Sequence, residues 1–390
     1  MIKIKDKSQC CGCGSCMSSC PKQCIRMKTD SEGFAYPEVD TGQCISCGKC
    51  IKVCPIKNRD ENNKVQKVYA VKNKNEKTRS TSSSGGTFFE LAKYVIENGG
   101  TVFGCAMSKE LVAQHIAVTT ISELEALKSS KYVQSDVGNT YSQAKELLEN
   151  GKLVLYSGTP CQIAGLKNYL GKCYDNLILI DVLCHGTPSP GMFKDYIALI
   201  EKRFDSKPIS INFRSKEKSW KRLYIDVHFE DGRRYFTFCG YDQYLSMFLN
   251  NMSLRPSCYE CKFTTEHRQG DITLGDFWGI GKKYPERDDD KGISLVLINT
   301  DKGVDLFDGI SSKLEIFESD FETAAAGQRT LSAPTIKNTN RDDFYKEYSE
   351  NGIESALNKF VKIPSKPVQV YYAVMRWGLD LVRKILKKGY

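Results

Sequence analysis

Residues 10–21 read CCGCGSCMSSCP and residues 44–55 read CISCGKCIKVCP. Each holds a C-x2-C-x2-C-x3-C-P run, and the two runs fix the character of the N-terminal segment. Three thiols on one tight loop, with Gly12, Gly14 and Gly48 relieving the backbone, can reach three corners of a [4Fe-4S] cubane. The proline ends the loop and turns the chain away, so the fourth thiolate serves the neighbouring cluster. The spacing assigns Cys10, Cys13, Cys16 and Cys54 to one cluster, and Cys44, Cys47, Cys50 and Cys20 to a second. A disulfide scaffold would need an oxidising compartment, and no signal peptide precedes Cys10. Zinc sites usually show two CxxC pairs rather than two such runs. Cys11 and Cys24 fall outside the pattern and read as bystanders.

Composition points to a cytoplasmic redox protein of more than one domain. A length of 390 residues allows two or three domains and a sizeable core. No run of about 18 apolar residues occurs, so no transmembrane span is expected. The formal charge of +9 ignores the cofactors. A cubane held by four thiolates carries about −2, so two bring the balance to about +5 and a third to about +3. Nucleic-acid binding needs a clustered basic stripe, and none stands out before the C-terminus.

Residues 1–60 form the dicluster unit, and the charged, amide-rich stretch 61–68 reads as a linker. From Tyr69 strands and helices alternate. Phe88, Leu91, Ala92, Val95 and Ile96 share one face of a helix over Thr87–Asn98, which stops at Gly99-Gly100. Thr101–Met107 reads as a buried strand. Ser122 with Glu125, and Thr140 with Gln143, have capping-box spacing. Strand Lys152–Ser157, helix Cys161–Leu170, strand Leu177–Leu183 and helix Pro190–Phe204 follow. Such alternation predicts an α/β domain with some parallel sheet. Beyond Ser210 the texture turns to β, with an Asp231-Gly232 hairpin turn between two strands, and further helix is expected over Asp342–Phe360.

Four later cysteines lie in unusual settings. Cys161 follows Gly158-Thr159-Pro160 between a strand and a helix, where a helix N-terminus favours the thiolate. Cys184 ends the next strand, and Cys258-x2-Cys261 is a separate CxxC in a loop. Two readings stand: a third [4Fe-4S] cluster ligated by all four, or buried free thiols beside an unligated CxxC. Ser82–Thr87 (SSSGGT) directly precedes a helix, so it reads either as a flexible linker or as a diphosphate cradle. It is not the GxGxxG dinucleotide fingerprint. Redox logic favours the cradle, because clusters move single electrons and a flavin converts them to pairs.

Taken together, SSSGGTFFELAKYVIENGGTVFG (82–104), KYVQS (131–135), GTPCQIAGLK (158–167), DVLCHGTPSP (181–190), RPSCYECKF (255–263) and DITLGDFWGI (271–280) resemble one family. It is the coenzyme F420 hydrogenase/dehydrogenase beta-subunit family, here behind a ferredoxin-type dicluster segment. Its relatives include 7-hydroxymethyl chlorophyll a reductase. The resemblance implies FAD beside the clusters and an α+β/α/β multidomain fold: a bacterial-type dicluster ferredoxin followed by a mixed α/β flavin-binding domain. It divides the remainder into 69–160 with the flavin loop, 161–365 with the third cluster and substrate face, and 366–390. It implies that Ser84, Gly85, Gly86 and Thr87 meet the flavin, with Lys131, Tyr132, Gln134 and Ser135 also near it. Gly158, Thr159 and Pro160 would form the loop by the isoalloxazine, and Cys161, Cys184, Cys258 and Cys261 would ligate the nearby cluster. His185, Asp276 and Trp278 are the candidates for the substrate face, each with a packing or capping role as its alternative.

The resemblance leaves the electron acceptor open. The expected function is electron transfer between ferredoxin-type clusters and a small organic substrate through FAD, in the setting of cell-surface polysaccharide metabolism that many relatives share. Alternatives are an F420-dependent subunit or a relay subunit without its own substrate. An external ferredoxin or a dehydrogenase or hydrogenase subunit would be the partner. In the C-terminal VQVYYAVMRWGLDLVRKILKKGY, the residues Val370, Tyr371, Val374, Trp377, Leu381, Val382, Ile385 and Leu386 share a helical face, and Arg376, Arg383, Lys384, Lys387 and Lys388 are basic. That helix either packs on its own domain or lies at the inner membrane face as a peripheral contact.

Overall fold

The structure, a computed structural model, describes residues 1–61 and 63–387, with backbone alone for 376, 377 and 379–387. Each cysteine run ends in a one-turn helix, Ser15–Ser18 and Lys49–Lys52, entered through Gly14 at φ 78° and Gly48 at φ 76°. That left-handed turn is open to glycine and strained for other residues, so the two glycines let each loop curl back on its own thiols. Between the runs, β1 (Ile25–Thr29) pairs antiparallel with β2 (Ala35–Val39).

The rest of the chain is built on an eight-stranded mixed sheet. Its strands are β3 (Lys67–Asn73), β4 (Thr101–Met107), β5 (Ala113–Val118), β6 (Val154–Gly158) and β7 (Leu177–Val182), then three from much later in the chain. A separate antiparallel sheet of β8 (Pro208–Ser215), β9 (Tyr224–Phe229) and β10 (Arg234–Phe238) intervenes. The chain then returns to the main sheet as β11 (Ile272–Asp276), β12 (Ser294–Ile298) and β13 (Leu314–Ser319). The strand order is β13-β3-β12-β11-β7-β6-β4-β5. Neighbours from β4 through β6 and β7 to β11 run parallel, and all other pairs run antiparallel. The parallel strands are apolar on both faces; β12 is buried at every position, as a sheet covered on both sides requires.

The dicluster unit is welded to this body. Phe34, wholly buried, belongs to the same core as Met192, Phe193, Tyr196 and Tyr345. Arg341, also buried, reaches the Glu32 carboxylate at 2.7 Å. The helix Pro160–Leu170 passes so close to the first cysteine loop that a Cβ on Gly165 would lie 2.5 Å from Ser15 Oγ and 3.1 Å from Cys13 Sγ. Only a residue without a side chain permits that approach.

Two helix starts differ from expectation. The reciprocal cap near residue 122 is made by Thr120 and Glu123, whose carboxylate accepts from the Thr120 N–H at 3.0 Å while Thr120 Oγ1 accepts from the Glu123 N–H. Thr140 does not cap; its buried hydroxyl donates to Val137 O and meets the Tyr156 hydroxyl at 2.7 Å. The tertiary partner takes the hydroxyl that the local motif would have used. The capping box that does form joins Thr159 and Gln162, at the helix that carries Cys161.

The last helix spans Lys366–Lys387. Val370 and Val374 are about three-fifths exposed there, as is Tyr371, so this part of the apolar face does not pack on the chain's own domain. Trp377, Leu381, Val382, Ile385, Leu386 and the basic side chains lie outside the described ones. Among the described residues no helix is long and apolar enough to cross a membrane.

Candidate iron–sulfur and flavin site

The two cysteine runs fold so that each supplies a thiol to the other's group. Cys16 lies within electrostatic reach of Cys10, Cys13 and Cys54, the last from the second run. Cys20, Cys44, Cys47 and Cys50 line one concavity at the surface, and Cys47 is exposed. The first set is the more enclosed, with Cys13, Cys16 and Cys54 all buried. Cys24 is no remote bystander: its sulfur sits 3.4 Å from that of Cys20.

A third group forms at the carboxyl ends of the parallel strands, where open α/β sheets offer their crevices. β6 and β7 are adjacent and parallel, with Gly158 opposite Asp181, so the segments after them emerge side by side. Those segments carry Cys161 and Cys184. Cys258 and Cys261 arrive from the loop ahead of β11, the strand paired to the other side of β7. All four thiols line one cavity, together with Cys11, His185 and Arg268. Burial pushes the Cys184 thiol well up and the Cys261 thiol to about 12, so the bare thiols are protonated. A metal that takes them as thiolates must displace those protons. Cys161 is held down instead, first by a hydrogen bond from Cys11 and then by one from Thr159, whose Oγ1 is 3.2 Å away. Among the described residues no three His, Cys, Asp or Glu side chains close around a single ion. A mononuclear zinc would need sulfurs about 2.3 Å from one centre, whereas a cubane spreads four thiolates over four corners.

The proposed flavin residues divide into two groups. Ser83 and Ser84 fold inward, to Ser130 and to Ile293 O, and Gly85 N donates to Ser294 Oγ at 3.0 Å. The loop is thus pinned against β12. Gly86, at φ 88°, starts the helix Thr87–Glu97 with no side-chain cap, and Thr87 Oγ1 is buried without a hydrogen-bond partner. Uncapped N–H groups plus an orphaned hydroxyl fit an anionic ligand at that helix end. Tyr132 lies beside the loop: Arg214 donates to its hydroxyl at 3.0 Å, to Asp276 at 2.6 Å and to Ser83 O. Trp278 stacks on Trp220 at 4.7 Å, and the Trp220 indole N–H points to Asp276. The structure places Gln134 elsewhere, donating to Cys11 O at 2.9 Å. Lys131 turns to the Ala126 and Lys128 carbonyls, and burial lowers its ammonium to about 8. His185 faces the cysteine cavity, 2.6 Å from Asn251, away from the Asp276–Trp278 pair. Its edge meets Phe248, which stacks on Tyr132, so one aromatic contact chain joins the two halves.

Ser135 belongs to a support beneath the Gly158–Pro160 loop. Its hydroxyl meets His115 Nδ1 at 3.2 Å and accepts from Gln162, while His115 Nε2 meets Ser157 O at 3.0 Å. Burial lowers the His115 imidazole to about 4. A histidine with a folded value below its unfolded one binds fewer protons when folded, so stability falls as pH drops from about 6.5 towards 4. His115→Gln should remove about 1 kcal/mol of the stability difference between pH 7.5 and 5.5. Anaerobic urea unfolding at the two values checks this, and an unchanged difference counts against a neutral buried imidazole.

The comparisons with known proteins fit this geometry. Residues 9–58 match the 4Fe-4S dicluster domain, which makes the chain an iron–sulfur protein of the oxidoreductase type. Residues 151–323 match the C terminus of the coenzyme F420 hydrogenase/dehydrogenase beta subunit, and the chain belongs to that family. It is also similar to a chain of the F420-reducing [NiFe] hydrogenase complex from Methanosarcina barkeri. That match has 15% identity over 77% of this chain and 93% of the other, with a TM-score of 0.46. No curated protein matches at a significant level.

Proposed function

We propose that this chain is an iron–sulfur flavoprotein that passes electrons between ferredoxin-type clusters and a small organic substrate. The observation that carries the reading is the convergence of Cys161, Cys184, Cys258 and Cys261 on one cavity directly against the first cysteine loop. Cys10, Cys13, Cys16 and Cys54 hold one cubane, Cys20, Cys44, Cys47 and Cys50 the second, and the four cavity cysteines a third. When bound, FAD would supply the exchange between single electrons and pairs. The residues toward it are Gly86 and Thr87 at the helix start, with Tyr132, Arg214 and Trp278 lining the approach. His185 and Asp276 are the polar groups nearest a substrate, though Asp276 already pairs with Arg214 at 2.6 Å. Electrons enter at the exposed second set, whose rim carries Lys22 and Lys49 and suits an acidic one-electron carrier.

Anaerobically purified protein should contain about twelve irons and one FAD per chain. Gly86→Val should yield folded protein without flavin, because a branched residue at φ 88° displaces the helix start. Full FAD occupancy in that variant would return Ser82–Thr87 to a plain linker. The family description keeps coenzyme F420 as the competing substrate to a sugar-derived metabolite. Screening both classes for reoxidation of the reduced protein separates them, and turnover with neither would favour a relay subunit.

The exposed apolar start of the final helix supports a peripheral contact with anionic lipid, aided by the basic residues in its sequence. The full chain should co-sediment with anionic vesicles, and a chain ending at Ser365 should not. Equal, negligible sedimentation of both would leave a protein partner for that helix.

A further inference from the structure

Cys11 belongs to neither ligand pattern, yet its thiol hydrogen-bonds with those of both Cys13 and Cys161. One of these sulfurs belongs to the first cysteine set and the other to the third. Cys11 is buried and forms part of the wall of the third cavity. Its backbone is fixed from outside the loop, because Gln134 Nε2 donates to Cys11 O at 2.9 Å. Gly12, at φ 70°, makes room: a Cβ there would lie 2.6 Å from Gln134 Nε2 and 2.8 Å from Arg255 Nη1. The bridging position is therefore built by three elements, not left over from loop sequence.

Arg255 completes it. Its guanidinium is 1% exposed and donates to Cys10 O at 2.6 Å, to Gln134 Oε1 at 3.0 Å, to Ala35 O at 2.9 Å and to Cys10 Sγ at 3.5 Å. No carboxylate among the described residues pairs with it. An unpaired buried cation is costly, and here the anionic partners within reach are cysteine sulfurs of both sets. Its own backbone O accepts from the Cys258 N–H at 2.9 Å, so the residue that grips Cys10 also anchors the CxxC turn.

We infer that Cys11 is the bridge between the first and third cysteine sets, donating an S–H hydrogen bond across to their sulfurs while Arg255 serves both as counter-cation. The inference rests on the third-cluster reading above. Hydrogen bonds to cluster sulfurs are one of the levers that set reduction potential, so a donor shared by two ligand sets ties their potentials together. The transfer it serves moves one electron, oxidising one centre as it reduces the other, with no bond made or broken. Cys11 is a positioning residue, and its removal should leave every iron in place.

The test uses the full chain, anaerobically purified, with iron counting and EPR-monitored redox titration of wild type, Cys11→Ala and Cys11→Ser. Cys11→Ala should keep about twelve irons, yet shift electron partition between the two centres about tenfold, which is 59 mV for one electron. It should also weaken their spin–spin coupling. Cys11→Ser, which retains an O–H donor, should restore part of both. Wild-type potentials and coupling in Cys11→Ala would overturn the bridge, as would loss of about four irons, which would make Cys11 a ligand. About eight irons in the wild type would overturn the third cluster, and the inference with it.

Discussion

Changing Cys258 and Cys261 together to serine should remove about four of about twelve irons and leave the signals of the dicluster unit intact. The expectation follows from geometry. The CxxC reaches the cavity from its own loop, whereas both dicluster sets draw all their thiols from residues 10–54. The irons should therefore leave as one block. Serine preserves size and a polar group, so the loop's hydrogen bonds, such as Cys258 N to Arg255 O, can persist. Substrate reduction should fall with the irons while reduction of the remaining clusters by an external donor continues. Unchanged iron would make the CxxC structural. Cys161, at a helix start and lowered by its neighbours' hydrogen bonds, would then be a reactive thiol instead.

How much of this arrangement was readable beforehand depended on how local its cause is. The doubled cysteine run specifies its own loops, and the structure gathers the two sets in the crossed pairing that the spacing implied. The parallel strands were legible from alternation, and with them the side-by-side emergence of Cys161 and Cys184. The antiparallel half was not. β3 pairs with β12 so that Val71 faces Ser294, and no periodicity within either segment announces a partner so distant in sequence. The helix caps failed for a related reason, since Thr140 prefers a tertiary partner in Tyr156 to its own helix end. The bridge failed most completely. Cys11, Gln134 and Arg255 acquire their roles only when the dicluster unit docks on the helix Pro160–Leu170. Arg255 nonetheless sat inside the quoted RPSCYECKF, three residues ahead of the first CxxC cysteine.

Arg268→Met should cost about 3–5 kcal/mol, the penalty for stranding a buried charge. The charge is Asp181, fully buried on β7 and opposite Gly158 of β6, at the strand ends that aim Cys161 and Cys184. Asp181 accepts from Gln269 N at 3.0 Å and from the Thr273 hydroxyl, and lies 3.4 Å from Arg268 Nη2. Arg268 also donates to Thr273 Oγ1 at 3.2 Å and to Phe263 O at 3.0 Å. Its Nη2 makes no hydrogen bond, and its charge favours the Cys261 thiolate. One guanidinium thus serves a carboxylate beneath the cavity and a thiol in its wall. Methionine fills similar volume but supplies neither charge. Asp181→Asn in the same background removes the stranded charge and should return much of the lost stability, since the amide can still accept from Gln269 and Thr273. It should not return the charge facing Cys261. Denaturant unfolding would therefore recover in the double variant, while retention of the third block of iron under chelator challenge would not. Recovery of both together would show that Arg268 acts only through Asp181.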